Sequence, residues 1–447
     1  MESTAGVDTR TRSCAPVRDY KRFYLEDTQA ITSVTSTEIK DFIKTLEMEI
    51  SEYFDFCFVA LTAVGSFASG LYTQSSDLDL TLTGNNKHIS METLADALRH
   101  FHYEGVSIST CSSVQERRAV QGSEGTVAAM AAMPISRYIP FAFITFTDPK
   151  SGIVCHLTLN EPLDIQRSKL IHTYTQIEPR FVPIMIALKH LVGKCHFLTG
   201  SVHQDKYYSV PLGSYALALM LITFLQTENP PLLPKLQLQP KNQKNNDTQQ
   251  GQLGQQMDKD DRPIKEKIVQ GIDCSFDQDY DFYQGFGDKN IKSVAELLVD
   301  FCRFFGYVFD YEFKEVNPRI GAFRWRPGQL SKTSLTTSVT STGNSGNSSS
   351  SDIGATLQSH TASSSRVYSS PSSTATSATI KHNRIATAKA KENANGITLH
   401  IMDPFDVGFN VTASCNGDLV RLIKGCFQEA YEALVEGNIN LAFSESG

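Results

Sequence analysis

Residues 64–84 constrain the chain most. They read Val-Gly-Ser-Phe-Ala-Ser-Gly-Leu-Tyr-Thr-Gln-Ser-Ser-Asp-Leu-Asp-Leu-Thr-Leu-Thr-Gly. A Gly-Ser turn precedes a short polar segment, and two aspartates then flank one leucine on a strand. Successive strand side chains point to opposite faces, so Asp77 and Asp79 project together while Leu78, Leu80 and Leu82 face the other way. Neighbouring carboxylates repel unless a cation lies between them. Hard divalent ions take carboxylate oxygens and also hold substrate phosphates. Gly65 lets the backbone approach a ligand closely, Ser66 offers a hydroxyl, and N–H groups at the start of the next helical turn form a phosphate cradle. Together these parts imply a site for a nucleoside triphosphate and its metals. The plainer alternative, a surface strand with two solvated aspartates, gives no reason for the Gly-Ser pair to stand at this distance from them.

The 447 residues allow two or three domains. A net charge of −7 excludes a broad electrostatic pull on nucleic acid, so any RNA groove must be a local basic patch. The nine cysteines include no Cys-x-x-Cys pair, which argues for reduced thiols rather than a disulfide framework or a zinc finger. Arg10, Arg12 and Arg18 hint at a transit peptide, but Glu2, Asp8 and Asp19 oppose one. The longest apolar run, Leu212 to Leu225, is too short to cross a bilayer. The expectation is a cytoplasmic or nuclear protein, ahead of a mitochondrial one, with no membrane partner.

Along the chain, residues 1–30 read as a disordered tail. Residues 31–54 carry a helical period through Ile39, Phe42, Ile43, Leu46 and Ile50, and this helix is expected to pack on a helical domain. Residues 55–165 turn to short β-branched or aromatic runs, with a helix over 91–104 and a hairpin whose strands, 139–147 and 153–159, flank Asp148-Pro149-Lys150-Ser151-Gly152. Beyond 165 the pattern is mostly helical, with apolar helices over 178–192 and 211–226. A capping box, Ser293 to Glu296, opens another helix. The last helix runs from about Asp418 to Glu436 with Leu419, Leu422, Ile423, Cys426, Ala430 and Leu434 inward, and stops at Gly437. Residues 237–262, rich in Gln, Asn and Lys, and residues 328–395, rich in Ser and Thr, cannot offset their ordering entropy and are expected to be disordered. Folded sequence resumes at Ile397, which makes the second stretch an insertion within a domain.

Four motifs then occur in order: Gly65-Ser66 with Asp77-Leu78-Asp79, Leu212-Gly213-Ser214-Tyr215, Pro230-Pro231-Leu232-Leu233-Pro234, and Met402-Asp403-Pro404-Phe405-Asp406 with Asn410. Their order and spacing resemble the noncanonical poly(A) polymerases and terminal uridylyltransferases of the caffeine-induced-death type, in the DNA polymerase β nucleotidyltransferase superfamily. The resemblance implies an α+β fold. A polymerase-β-like palm, a mixed sheet plus helices, would occupy 55–165, and a mostly helical PAP-associated domain 166–327 and 396–440. It implies template-independent addition of A or U residues to an RNA 3′ end from ATP or UTP, with Mg²⁺ or Mn²⁺ in a two-metal site. No DNA is expected, and an RNA-binding protein partner is expected to take part in target choice.

The resemblance also assigns residues. Asp77 and Asp79 are the metal-binding and catalytic carboxylates, and Gly65 and Ser66 belong to the nucleotide site. Lys189 matches the lysine that reaches the triphosphate; its usual companion one turn later falls on Gly193, with Lys194 adjacent. Tyr215 matches the aromatic that stacks on the base and Ser214 its polar neighbour. Asp403 and Asp406 line the same wall, unless Asp403 only caps a turn before Pro404. Phe409 stands where uridylyl-adding members often carry a histidine, which leaves ATP at least as favoured as UTP. The main departure is His156, where the family has its third carboxylate. The strand period turns His156 toward the site, opposite Cys155 and Leu157. Imidazole suits Mn²⁺ or Zn²⁺ better than Mg²⁺. Two readings stay open: an active enzyme with altered metal use, or a catalytically impaired relative that serves as an RNA- or protein-binding module.

Overall fold

The computed structural model describes residues 35–55, 59–73, 76–84, 89–111, 141–193, 212–237, 264–326, 397–413 and 415–437. The expected tail at 1–30, the insertion 328–395 and residues 238–262 of the other polar stretch lie outside these; Gln237, at its edge, is buried and donates to the Pro404 carbonyl at 2.6 Å.

The palm is built on strands β1 (Val59–Ala63), β2 (Leu78–Gly84), β3 (Glu104–Cys111), β4 (Phe141–Thr147) and β5 (Val154–Leu159). They form one sheet in the order β1-β2-β5-β4-β3. β2 and β5 run parallel, and the other pairs are antiparallel. The parallel pairing sets the register that matters: Leu78 lies opposite Cys155, and Asp79 opposite His156. Because side chains alternate, Leu78, Leu80, Leu82, Cys155 and Leu157 all enter the core on one face, while Asp79 and His156 share the other.

Helix α1 (Thr35–Tyr53) covers the apolar face, together with α3 (Met91–His100), whose start is closed by a capping box between Ser90 and Thr93. Ile39, Leu46 and Ile50 of α1 are fully buried in the same core as the sheet leucines. This corrects the expectation that the 31–54 helix packs on the helical domain. The physical reason is proximity and polarity. The chain passes from α1 straight into edge strand β1, so the helix's apolar stripe meets the sheet's bare leucine face first. Two polar contacts fix the choice: Glu47 accepts from the Leu61 N–H at 3.0 Å, and Glu49 from the Tyr103 hydroxyl at 2.6 Å.

The chain then enters α4 (Pro162–Ile177), α5 (Phe181–Gly193) and α6 (Ser214–Thr227), of which α5 and α6 are buried almost all round. With α7 (Val294–Arg303), a π-helical turn at Phe304–Val308, and α8 (Gly417–Val435), they enclose a second core rich in phenylalanine. The Ser293–Glu296 capping box opens α7. On α8 the buried stripe is Val420, Ile423, Cys426, Phe427, Ala430, Ala433 and Leu434; Leu422, expected inward, is exposed. The true stripe is rotated toward Phe427, whose ring packs against Phe301.

A hairpin of β6 (Lys314–Asn317) and β7 (Ala322–Trp325) leads to residue 326, and the chain is described again from 397. The two sides are tied together. Buried Arg326 donates to the carbonyls of Tyr311 and Thr398, and Val316 exchanges backbone hydrogen bonds with His400 and Met402. All described residues belong to one compact unit. Among them, no helix is long and apolar enough to cross a membrane.

Candidate active site

The site begins where β1 ends. Val64 donates its N–H to the Asp79 carbonyl at 2.9 Å, which brings the next residue, Gly65, against the Asp79 side chain. Gly65 has φ +63, and a Cβ there would stand 2.2 Å from Asp79 Oδ2. Only glycine satisfies both conditions. The Gly65 N–H is held by Ser168 Oγ of α4 at 2.8 Å. Ser66 follows in the one-turn helix α2 (Gly65–Ser69).

Asp77 and Asp79 meet at His156. Its Nδ1 lies 3.9 Å from Asp77 Oδ2 and 3.5 Å from Asp79 Oδ1. The two carboxylates keep 50% and 40% of their side-chain exposure, so both can still reach a solute. Burial, reinforced by the Asp79 charge, raises the Asp77 carboxyl above its ordinary range against the pull of His156 and Lys189. For His156, burial favours the neutral ring, but the Asp79 hydrogen bond and both aspartate charges outweigh it and raise the imidazole. The ring also meets Phe143 edge-on, with centroids 5.3 Å apart.

Lys189 comes from α5. Its ammonium donates to Ser66 Oγ at 3.3 Å, to the Leu71 carbonyl at 2.9 Å and to Ser76 Oγ at 3.0 Å. It thus pins the turn after β1 to the approach to β2. Burial pushes its pKa down to about 8, although Asp79 and Asp77 pull the other way. Lys194 lies outside the described residues.

A cavity of about 390 Å³ runs from Gly65, Asp79 and His156 to Tyr215 and Phe409. At its far end, Asp403 is wholly buried. Its Oδ1 accepts the N–H groups of Phe405 and Asp406, both at 2.9 Å, and its Oδ2 accepts Arg167 Nε at 2.8 Å and the Tyr215 hydroxyl at 3.0 Å. The assignment of Asp403 to nucleotide contact is therefore corrected: it caps the turn before Pro404 and anchors two other side chains. Phe409 is held by backbone hydrogen bonds to Asp403 and Asp406 and lines the cavity. Ser214, at the first turn of α6, is exposed, while Tyr215 faces the cavity.

The structure thus brings together Gly65, Ser66, Asp77, Asp79, His156 and Lys189 around the turn, and Tyr215 and Phe409 at the other end of the cavity. Sequence reasoning missed Arg167 and Ser168. The available signal for Arg167 was a carboxylate three residues earlier on the same helix, the Asp164 spacing that pairs charges on a helix face. Ser168 left no signal, because its role is one hydrogen bond to a distant backbone.

The fold and this arrangement define a polymerase-β-type nucleotidyltransferase palm joined to a helical domain. Residues 22–176 match the family model for the central palm domain of mitochondrial-like poly(A) RNA polymerase. The chain is 26% identical over 282 residues to the poly(A) RNA polymerase cid13 of Schizosaccharomyces pombe, covering 63% of this chain and 40% of that one. It is 26% identical over 277 residues to the terminal uridylyltransferase cid1 of the same organism, covering 61% and 54%. The solved structure of a cytoplasmic RNA terminal U-transferase superposes with a TM-score of 0.59 at 20% identity, over 97% of this chain and 98% of that one. The chain is similar to noncanonical poly(A) polymerases and terminal uridylyltransferases, and it spans about half or less of the length of these two curated relatives.

Proposed function

We propose that this protein is a template-independent RNA nucleotidyltransferase that adds A or U residues to RNA 3′ ends. One observation carries the reading: two strand-borne carboxylates beside a Gly-Ser turn that a buried lysine braces, at one end of a cavity that has a tyrosine at the other. The donor chemistry fits one hard divalent ion in part. Asp77 and Asp79 supply the oxygens Mg²⁺ or Mn²⁺ takes, and the burial that raises Asp77 is a cost that cation binding would relieve. Such an ion, when bound, supplies positive charge against the polyphosphate and the departing pyrophosphate. A second Mg²⁺ would have weaker donors, because the third side chain at the site is His156, which offers a ring nitrogen in place of a carboxylate oxygen.

The chain's own groups divide the remaining work. Lys189 offers an ammonium to the phosphates next to the Ser66 hydroxyl. Tyr215 offers a ring face to the base, a contact worth about 1–3 kcal/mol and tolerant of base identity. Phe409 cannot hydrogen-bond, which leaves ATP as acceptable as UTP. The RNA 3′ end would approach Asp77, Asp79 and His156.

A second reading, a catalytically impaired relative that binds RNA or a protein, is favoured by His156. Its imidazole stands within 3.9 Å of both carboxylates, which favour its protonated form, where the family has a third acid. Extension of a labelled RNA oligonucleotide with each of the four NTPs, in Mg²⁺ or Mn²⁺, separates the two. Tailing by the natural protein that vanishes in Asp77→Ala establishes the enzyme. No tailing by the natural protein, but tailing by His156→Asp, establishes the impaired relative. Absence of tailing and of nucleotide binding in both proteins overturns the first reading, and absence of RNA and protein binding as well overturns the second.

A further inference from the structure

Arg167 is a half-buried charged residue that links three elements, α4, α6 and the loop at Asp403. It stands on α4, one residue before the serine that holds Gly65. Its Nε donates to Asp403 Oδ2 and its Nη1 to Asp164 Oδ1, both at 2.8 Å. Its guanidinium carbon lies over the Tyr215 ring, 5.6 Å from the centroid. The same Asp403 oxygen accepts the Tyr215 hydroxyl. Arg167 and Tyr215 therefore hold each other twice, once across the ring face and once through a shared buried acceptor. Asp403 in turn fixes the backbone of the loop that carries Phe409. Arg167, Tyr215 and Phe409 all line the one cavity.

We propose that Arg167 is the positioning residue of the nucleobase slot: it orients the Tyr215 ring and locks the Phe409 loop to α4, so that base affinity, and not phosphate affinity, depends on it. The inference rests on the nucleotide-binding reading above. The charge balance supports it. A tyrosine held only by its own hydroxyl can still swing about its ring axis. A guanidinium over the ring and on the same carboxylate removes that freedom, and its planar fork is suited to hold both at once. The cost of ordering Tyr215 is then met before any nucleotide arrives. The phosphate end has separate supports, Ser66 and Lys189, neither of which touches Arg167.

The test compares two probes, UTP or ATP and inorganic tripolyphosphate, each titrated by calorimetry in Mn²⁺ against the natural protein, Arg167→Lys, Arg167→Met and Arg167→Met with Asp403→Asn. The double variant removes the acid that the single one would strand, and thermal melting checks that it folds. The expected result is nucleotide binding weaker by about tenfold or more in Arg167→Met and in the double variant, the scale of one lost base stack. Arg167→Lys should recover part of the loss, and tripolyphosphate binding should stay unchanged throughout. If the double variant binds nucleotide as the natural protein does, or if tripolyphosphate affinity falls in step with nucleotide affinity, the positioning role is wrong. If the natural protein binds neither probe, the nucleotide-binding reading itself fails, and this inference with it.

Discussion

Asp79 and His156 face each other across two parallel strands, paired in register, with carboxylate oxygen and ring nitrogen 3.5 Å apart. An acid at position 156 would stand in the same place and repel where the imidazole attracts. That substitution would remove the imidazole and put an oxygen donor on the side of the site proposed to receive the RNA 3′ end. His156→Asp is expected to raise Mg²⁺-dependent tailing by about a hundredfold or more, the scale of a metal ligand's contribution. Initial rates of RNA extension measure it. An unchanged or lower rate would mean the histidine is the group this site uses.

Gly65 and Gly70 both hold left-handed backbone, at φ +63 and +77, but a Cβ at Gly70 would meet only Thr175 Oγ1 at an ordinary 4.0 Å, whereas one at Gly65 would stand 2.2 Å from Asp79 Oδ2. Gly70→Ala should cost about 1 kcal/mol, the conformational penalty alone. Gly65→Ala should cost more, about 2–3 kcal/mol, because Asp79 must also move. It should weaken Mn²⁺ binding as well, which Gly70→Ala should not. Urea denaturation and metal titration of the two variants check this.

Lys189 should give nucleotide binding a pH limit. With its folded pKa near 8, the ammonium is present below that pH and lost above it, so affinity for ATP or UTP should fall as pH rises from about 8 to 9. Stability moves the other way. Between about 8 and the ordinary 10.5 the unfolded chain binds more protons than the folded one, so this residue's contribution to stability rises with pH across that window. Lys189→Met should flatten both curves and lower affinity at pH 7. Binding isotherms and melting curves from pH 6.5 to 10 provide the comparison.

Glu161, at the start of α4, is pushed up to about 7, first by burial and then by the Asp164 charge, with Arg167 opposing. Its raised folded pKa means the folded chain holds a proton that the unfolded chain releases above 4.5. The associated stability is fully present below pH 4.5 and lost as pH rises through 7. Glu161→Gln should be more stable than the natural protein at pH 8, by about 1–3 kcal/mol, and equal to it at pH 4.5. Thermal melts at the two pH values decide it.

The carboxylate pair and the direction of His156 were legible because a strand has a period of two, and Leu78, Leu80, Cys155 and Leu157 mark its dry face without ambiguity. The capping boxes at Ser90 and Ser293 are local chemistry; the second was read from the sequence, while the first lacks an acid at its fourth position and needed coordinates. Other features depend on partners far along the chain. The α1 stripe says that the helix is buried but not against what. Asp403 reads as a cavity wall until Arg167 and Tyr215, 236 and 188 residues away, are seen to occupy its outer oxygen. Leu422 and Phe427 compete for the inward side of α8, and a helical period alone does not settle which wins.

The clasp formed by Arg326 with Tyr311 and Thr398 bears on chain length. It ties residue 326 to residue 398, so the described chain on either side of positions 327–396 is held together by its own hydrogen bonds. Where two chain positions are already held together in this way, doubling the length of the connection between them costs only about 0.6 kcal/mol of closure entropy. Changes in the length of that stretch should therefore cost the neighbouring fold little stability.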